Sequence, residues 1–376
     1  MPENKIKVAY LIGSLNRGGT ETLLLDCFLN SREAGFSFIG VHRKEGSLLN
    51  CFRGTGVPFF HLGFRNKFDL GYFFRLRALL IDQQIDIAHA QQPIDAMLAL
   101  ISLWNTGIKV VLTMHGFDFT KRFSLEFLNR FILKQTSVNI YVSKTQKKIY
   151  SEKYHLSDSS RNKVVYNGIS FNKFERTSLN SIRKEFGIPQ NTLLLCSIGN
   201  FVRGRDQLTI CHFLSLLRQK QDDFCMIFAG ARSDQTPDLF DECVSYCKKN
   251  GLQNHVFFPG SRKDVIDILS QSDAFIYASD HDTFGIAVIE AMAAGTPVFV
   301  NDWEVMKEIS DNGKNVNLYK TKDEYDLFQR FLHFLNNREI YRKQAHISSL
   351  WAHKTYSIKS HLDELKNIYV NLIRIN

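Results

Sequence analysis

The chain has 376 residues, enough for two or more domains with separate hydrophobic cores. Apolar residues make up 44% and charged residues 23%, which excludes the disordered, collagenous and coiled-coil classes. Lys and Arg number 47 against 38 Asp and Glu, and the net charge of +9 favours an anionic partner: nucleic acid, an anionic membrane surface or a phosphorylated small molecule.

The opening stretch MPENKIKVAYLIGSL has a basic residue before an apolar run but no small-residue cleavage site. It runs into a glycine turn, so it reads as a first strand over 7–12 rather than a signal peptide. Further strands are expected over 37–42, 85–89, 110–114, 138–142 and 164–166, each followed by turn residues and a helical pattern. A polar, turn-rich stretch over 171–192 reads as a linker. The scheme then restarts with strands over 193–198, 224–228, 256–258, 274–277 and 298–300. This alternation predicts an α/β chain of two doubly wound, parallel-sheet (Rossmann-like) domains, 1–170 and 171–356, facing each other across a cleft, with ligands at the carboxyl ends of the strands. The closing segment 357–376 is amphipathic and is expected to pack back as a helix, on the first domain or the second.

Neither an internal repeat nor a low-complexity tract is visible. The longest apolar stretch, 96–104, ends at Asn105, Thr106 and Gly107, well short of the roughly 18 residues a bilayer span needs. A cytoplasmic protein is expected, one that at most rests on the inner face of a membrane. The seven cysteines are odd in number and lack CxxC pairs, which argues against a disulfide framework or a zinc ribbon. Cys243 and Cys247, at helical spacing, are expected only to pack. The 31 phenylalanines read as core filling, since they do not interleave with basic residues as a nucleic-acid stacking platform would.

The chemistry concentrates in residues 282–298, DTFGIAVIEAMAAGTPV. A strand ends near Ala278, Gly285 opens a helix that stops at Gly295, and Pro297 leads into the next strand. Amides at Gly285, Ile286 and Ala287 carry the positive end of the helix dipole, which suits a phosphate. Glu290, about 7.5 Å further along the axis, suits a ribose diol attached to that phosphate, although an acid there also simply complements the dipole. Three decoys are set aside. Gly13-x4-Gly18-Gly19-Thr20 approximates a P-loop but has Gly19 where the lysine belongs. No Gly-x-Gly-x-x-Gly follows the first strand. Asp280-His281-Asp282 spells a metal-binding Asp-x-Asp, but it is fused to the Glu290 helix of the second domain.

Asp282-x7-Glu290 followed by Ala-Met-Ala-x-Gly-x-Pro-Val resembles the Glu-x7-Glu signature of retaining glycosyltransferases with the GT-B fold, especially glycosyltransferase family 4. Gly18-Gly19-Thr20-Glu21, His115-Gly116, Asn167-Gly168 and Phe228-Ala229-Gly230 resemble other motifs of that family in the same order, so the likeness covers nearly the whole chain. Two departures matter: Asp282 is one methylene shorter than the usual Glu, and Asn200 stands where the family has Arg. Arg205 takes the place of the family's Lys, and Arg203 offers a compensating charge.

The resemblance implies transfer of a sugar, with retention, from a UDP- or GDP-linked donor to a glycan or lipid-linked glycan acceptor, as in cell-surface polysaccharide or lipopolysaccharide synthesis. The second domain would hold the nucleotide and the first the acceptor. Arg203, Arg205, the backbone at Phe284, Gly285 and Ile286, and the backbone at Gly19 would meet the diphosphate charge. Glu290 would hold the ribose, Asp282 the donor sugar, and His115 the sugar or diphosphate. Neither a resident metal nor a covalent nucleophile is implied. Glu21 is expected to cap its helix, and His89 to face the cleft. Basic residues at Arg65, Lys67, Arg75 and Arg77 and at Lys121, Arg122, Arg130 and Lys134, interleaved with apolar ones, suit contact with an anionic membrane; no nucleic-acid partner is expected. A nucleotide-sugar 2-epimerase and a non-catalytic nucleotide-sugar binding protein are the alternatives.

Overall fold

The computed structural model describes residues 5–16, 18–66, 68–117, 123–157, 159–174 and 181–374. Lys67, Lys121 and Arg122 of the basic clusters lie outside the described residues. The chain divides into two compact units, one built from residues up to Ser170 together with those from Tyr356 onward, the other from Phe171–Thr355.

The first unit is a seven-stranded, wholly parallel sheet. Its elements are β1 Lys7–Ile12, α1 Gly19–Leu29, β2 Ser37–His42, α2 Leu49–Arg53, β3 Phe59–His61, α3 Gly71–Asp82, β4 Ile87–Ala90, α4 Pro93–Ser102, β5 Lys109–Met114, α5 Phe123–Gln135, β6 Val138–Tyr141, α6 Lys144–Tyr154 and β7 Asn162–Val164. The strand order β3-β2-β1-β4-β5-β6-β7 reverses direction between β1 and β4, where a doubly wound sheet opens its binding crevice.

The second unit contains α7 Ile182–Glu185, β8 Leu193–Ile198, α8 Gln207–Arg218, β9 Phe224–Ala229, α9 Pro237–Lys249, β10 Val256–Gly260, α10 Val265–Gln271, β11 Ala274–Tyr277, α11 Ile286–Ala293, β12 Val298–Asn301, α12 Glu304–Ile309, β13 Asn317–Tyr319, α13 Glu324–Asn336 and α14 Arg338–Thr355. Its six parallel strands run β10-β9-β8-β11-β12-β13, with the reversal between β8 and β11. A last helix, α15 Ile358–Arg374, returns to the first unit and lies against α1.

Strands β8, β9 and β11 are buried along their whole length, as runs covered on both faces by helices must be. Sequence reasoning misses β3 and β13, two three-residue edge strands too short to carry an alternating pattern. It places β4 two residues early and β7 two residues late. The ladder at β7 recruits polar Asn162 and Lys163 opposite Asn139 and Ile140, which an apolar pattern does not register. Cys243 and Cys247 are buried on α9 beside Cys211 of α8, and all three are free thiols. The phenylalanine surplus is not all core: Phe64, Phe68, Phe74, Phe127 and Phe131 are exposed.

Candidate functional site

In the second unit the loops that follow β8 and β11 are stitched together. The Asp206 amide donates to the Ala278 carbonyl at 3.1 Å and the Asp280 amide to the Gly204 carbonyl at 3.1 Å. The Ser279 hydroxyl reaches the same Gly204 oxygen at 2.7 Å. This stitching brings Arg205 to Asp282: the guanidinium Nη1 donates to Asp282 Oδ2 at 2.8 Å. The guanidinium also stands 4.6 Å from the centre of the Tyr277 ring, a cation–π contact. The Tyr277 hydroxyl donates to the same Asp282 oxygen, and the Trp303 indole donates to the Asp282 carbonyl at 3.1 Å. Burial pushes the Asp282 carboxyl up from its ordinary range, and Arg205 pulls it partway back. Asp282 Oδ2 is therefore committed to Arg205 and Tyr277.

Arg203 lies two residues earlier on the same loop, exposed and without an ion-pair partner among the described residues. Asn200 does not point a replacement charge anywhere. Its side-chain oxygen accepts from the Ala231 amide at 2.9 Å and ties the loop after β8 to the loop after β9. Those loops touch so closely that a side chain on Gly230 would collide with the Gly199 carbonyl, which accounts for the glycine of Phe228-Ala229-Gly230.

Helix α11 starts from Gly285, at φ 81° and ψ 53°, a left-handed conformation that side chains resist. A Cβ there would also lie 3.0 Å from Met306 Cε. The first-turn amides at Ile286 and Ala287 have no intrahelical acceptors, and Glu290 follows in the second turn, partly exposed. Phe284 is 2% exposed, so only its backbone is on offer to a ligand. In the Asp-x-Asp sequence, Asp280 is held by Lys322 at 3.0 Å and by His281. Among the described residues no group of three or more His, Cys, Asp or Glu is arranged to hold a metal ion.

In the first unit a cavity of about 450 Å3 lies where β4 and β5 end and α1 begins. Thr20, Gln91, His115, Gly116, Asn129 and Tyr150 line it. His115 Nε2 lies 2.9 Å from the Gln91 side-chain oxygen, so that nitrogen carries the proton. Burial, with repulsion from His361, lowers the imidazole to about 3, and His115 is a neutral donor at physiological pH. Gly19 is the first residue of α1 and is exposed, with Gly18 in extended conformation before it. Glu21 folds back over Gly18 at this helix start, as a first-turn acid does.

His89 is a correction. It is 1% exposed, with Nδ1 2.6 Å from the Tyr369 hydroxyl on α15 and Nε2 2.7 Å from the Thr113 hydroxyl. It therefore faces the core rather than a cleft. Burial first, then His115 and His361, lowers it to about 3. A larger cavity of about 710 Å3 lies between β6, β7 and α15 and shares no lining residue with the one at His115.

Sequence reasoning also misses Gln91, Tyr277 and Trp303. Gln91 carried a signal, a polar pair before Pro93 at a strand end; Tyr277 sits in an apolar run and reads as core.

Solved structures resemble this architecture throughout. Anabaena HepE in complex with UDP-glucose superimposes with a TM-score of 0.85 at 17% identity, over 97% of this chain and 100% of that one. Two parallel-sheet units with such neighbours define the GT-B fold. A family model for glycosyl transferases group 1 matches residues 179–348, and one for glycosyltransferase family 4 matches 17–173. The chain belongs to the group 1, family 4-like glycosyltransferases of the GT-B fold. Among its relatives is N-acetyl-alpha-D-glucosaminyl L-malate synthase of Bacillus anthracis, 23% identical over 82% of this chain and 80% of that protein. Another is the UDP-Gal:alpha-D-GlcNAc-diphosphoundecaprenol alpha-1,3-galactosyltransferase of Escherichia coli, 24% identical over 81% and 80%.

Proposed function

We propose that the protein transfers a sugar, with retention at the anomeric carbon, from a nucleotide-diphosphate sugar to a glycan or lipid-linked glycan acceptor, in cell-surface polysaccharide or lipopolysaccharide synthesis. The observation that carries this reading is the pairing of Arg205 with Asp282 beside the α11 start, at the switch point of the second sheet. Such a site answers the main physical demand of the reaction, stabilising charge on a departing diphosphate away from water.

Arg203, Arg205 and the amides of Gly285 and Ile286 would receive the diphosphate, Glu290 the ribose and Asp282 the donor sugar. These donors supply positive charge without a resident metal. In the first unit His115, a neutral donor, would hydrogen-bond the sugar or diphosphate, with the Gly19 backbone close by. The UDP-glucose complex of Anabaena HepE and the undecaprenol-linked substrate of the E. coli relative favour a uridine nucleotide and a lipid-linked acceptor. Such an acceptor would bring the enzyme to the inner face of the plasma membrane. No helix among the described residues is long and apolar enough to cross a membrane.

The test is a thermal-shift screen of UDP, GDP, ADP and their sugar conjugates with and without EDTA, followed by transfer assays. One nucleotide series should stabilise the fold, by roughly 2.7 kcal/mol at 100 times its dissociation constant, and EDTA should not change this. Glu290→Ala should abolish transfer in a protein that melts like the parent. Full activity in that variant would overturn the assignment.

A further inference from the structure

The crevice of the first sheet opens between β1 and β4, and the loop after β2 is sewn to the end of β1. The Arg43 amide donates to the Ile12 carbonyl at 3.0 Å and the Lys44 amide to the Gly13 carbonyl at 3.1 Å. From there the Arg43 side chain crosses to the first turn of α4, where its Nε donates to Asp95 Oδ1 at 2.6 Å. Both partners are largely buried: the Arg43 side chain is 14% exposed and that of Asp95 2%.

That ion pair is incomplete on both sides. A guanidinium has five N–H donors, and a carboxylate commonly takes two of them side by side. Asp95 takes only the one on Nε. Its second oxygen, Oδ2, is buried without a hydrogen-bond partner, and the Nη1 and Nη2 groups of Arg43 donate to nothing among the described residues. Arg75, on the same side of the sheet, instead closes both of its terminal nitrogens on Asp69, at 3.2 and 2.7 Å. A pair that served only to tie the β2 loop to α4 would close in the same way. A buried cation with unmet donors is costly, and an anion is the group that meets them.

The structure keeps room for one. A Cβ on Gly13 would lie 3.1 Å from Arg43 Nη2 and 2.8 Å from the Gln92 side-chain oxygen, so the missing side chain leaves the ground between them clear. Gly13 opens the turn that approximates a P-loop without its lysine, and the guanidinium from β2 stands beside it instead. Gln92 also lines the cavity at His115, so the two spaces adjoin within the first unit. The donor diphosphate has Arg203 and Arg205 of the second unit to meet it, which leaves Arg43 for a different anion.

We propose that Arg43, held through Nε by Asp95, receives an oxyanion of the acceptor, a phosphate ester or a carboxylate, on its Nη1 and Nη2 groups. This rests on the transferase reading and narrows it: acceptors that carry such an anion are taken, and neutral glycans are not. Asp95 is then a positioning residue, which fixes the fork side-on without occupying it.

The first measurement uses the full chain with isotope-labelled arginine and neither donor nor acceptor, so it stands or falls apart from the transfer reaction. The Nε–H signal of Arg43 is identified by its loss in Arg43→Lys and followed while inorganic phosphate or malonate is added, with chloride at matched ionic strength as reference. A saturable shift with phosphate or malonate, absent with chloride, is expected, and the tighter of the two identifies the anion the acceptor carries. Gly13→Ala sets a methyl group against the ends of two flexible side chains, which leaves the fold in place, and should weaken the response roughly tenfold. No saturable shift with either anion, or a shift that Gly13→Ala leaves unchanged, would overturn the proposal. In transfer assays Arg43→Lys, which keeps the charge beside Asp95 but loses the fork, should raise the acceptor KM roughly tenfold more than the donor KM. Equal effects on both, or none, would sever the oxyanion from the acceptor and overturn the proposal as well. Saturable phosphate binding at Arg43 in a chain that transfers no sugar would count against the transferase reading and leave the oxyanion site standing.

Discussion

At the scale of single residues, the pairing of Arg205 with Asp282 makes a prediction with an unusual sign. Asp282 gives Arg205 the negative partner that a diphosphate would otherwise supply, so the two anions compete for one guanidinium. Asp282→Asn removes the charge while keeping the shape. Nucleoside diphosphate affinity should rise by about 1 kcal/mol, roughly fivefold, while sugar transfer falls because the donor sugar loses its carboxylate. Isothermal titration with the nucleotide that the thermal screen identifies, set beside transfer rates, separates the two effects. Weaker nucleotide binding by Asp282→Asn would show instead that the carboxylate orients Arg205 for the phosphate. Tyr277→Phe, which keeps both charges and removes only the hydroxyl from Asp282, should change affinity less.

At the scale of elements, α15 completes the first core. Ile358, Leu362, Leu365 and Tyr369 lie in one cluster with β1, α1 and β2, and the Tyr369 hydroxyl serves His89. Tyr369→Phe leaves His89 Nδ1 without that partner in a dry interior, at a cost of about 1–3 kcal/mol read as a fall in unfolding midpoint. An unchanged midpoint would mean that the imidazole finds another partner. The helix was legible as an amphipathic segment, but its destination was not. Apolar periodicity shows that a face must be buried without saying against which sheet, and a contact between Tyr369 and His89 spans 280 positions. Strands such as β1, β2, β8 and β11 were readable because buried parallel strands are apolar throughout. Edge strands β3 and β13 were not, because three residues carry no period. The α11 segment was readable for a related reason: Gly285 and Gly295 punctuate a short helix whose ends have no latitude. The partners of Asp282 were hidden, since Tyr277 and Trp303 reach it through the fold. Asn200 read as a missing charge and is in fact a loop tie.

At the scale of the whole molecule, the two units carry different sensitivities, and heating should reveal them. His89, His115 and His361 of the first unit are lowered by burial to about 3, about 3 and about 4, against an ordinary value near 6.5 in the unfolded chain. Above that value neither state binds the protons, and stability is unaffected. As the pH falls below it, the unfolded chain takes up protons that the native imidazoles refuse, so each histidine costs about 1.4 kcal/mol per pH unit until its native value is reached. Between pH 7 and pH 5 the three together should cost the first unit about 6 kcal/mol. The second unit, which would hold the nucleotide, contains none of these groups. Calorimetry should therefore show one transition that moves down with acid and is indifferent to nucleoside diphosphate, and another that moves up with nucleotide. His89→Gln should blunt the acid response of the first transition alone. A single transition that follows acid and nucleotide together would mean that the two cores unfold as one cooperative body, with the crossings at Ser170 and Thr355 transmitting stability between them.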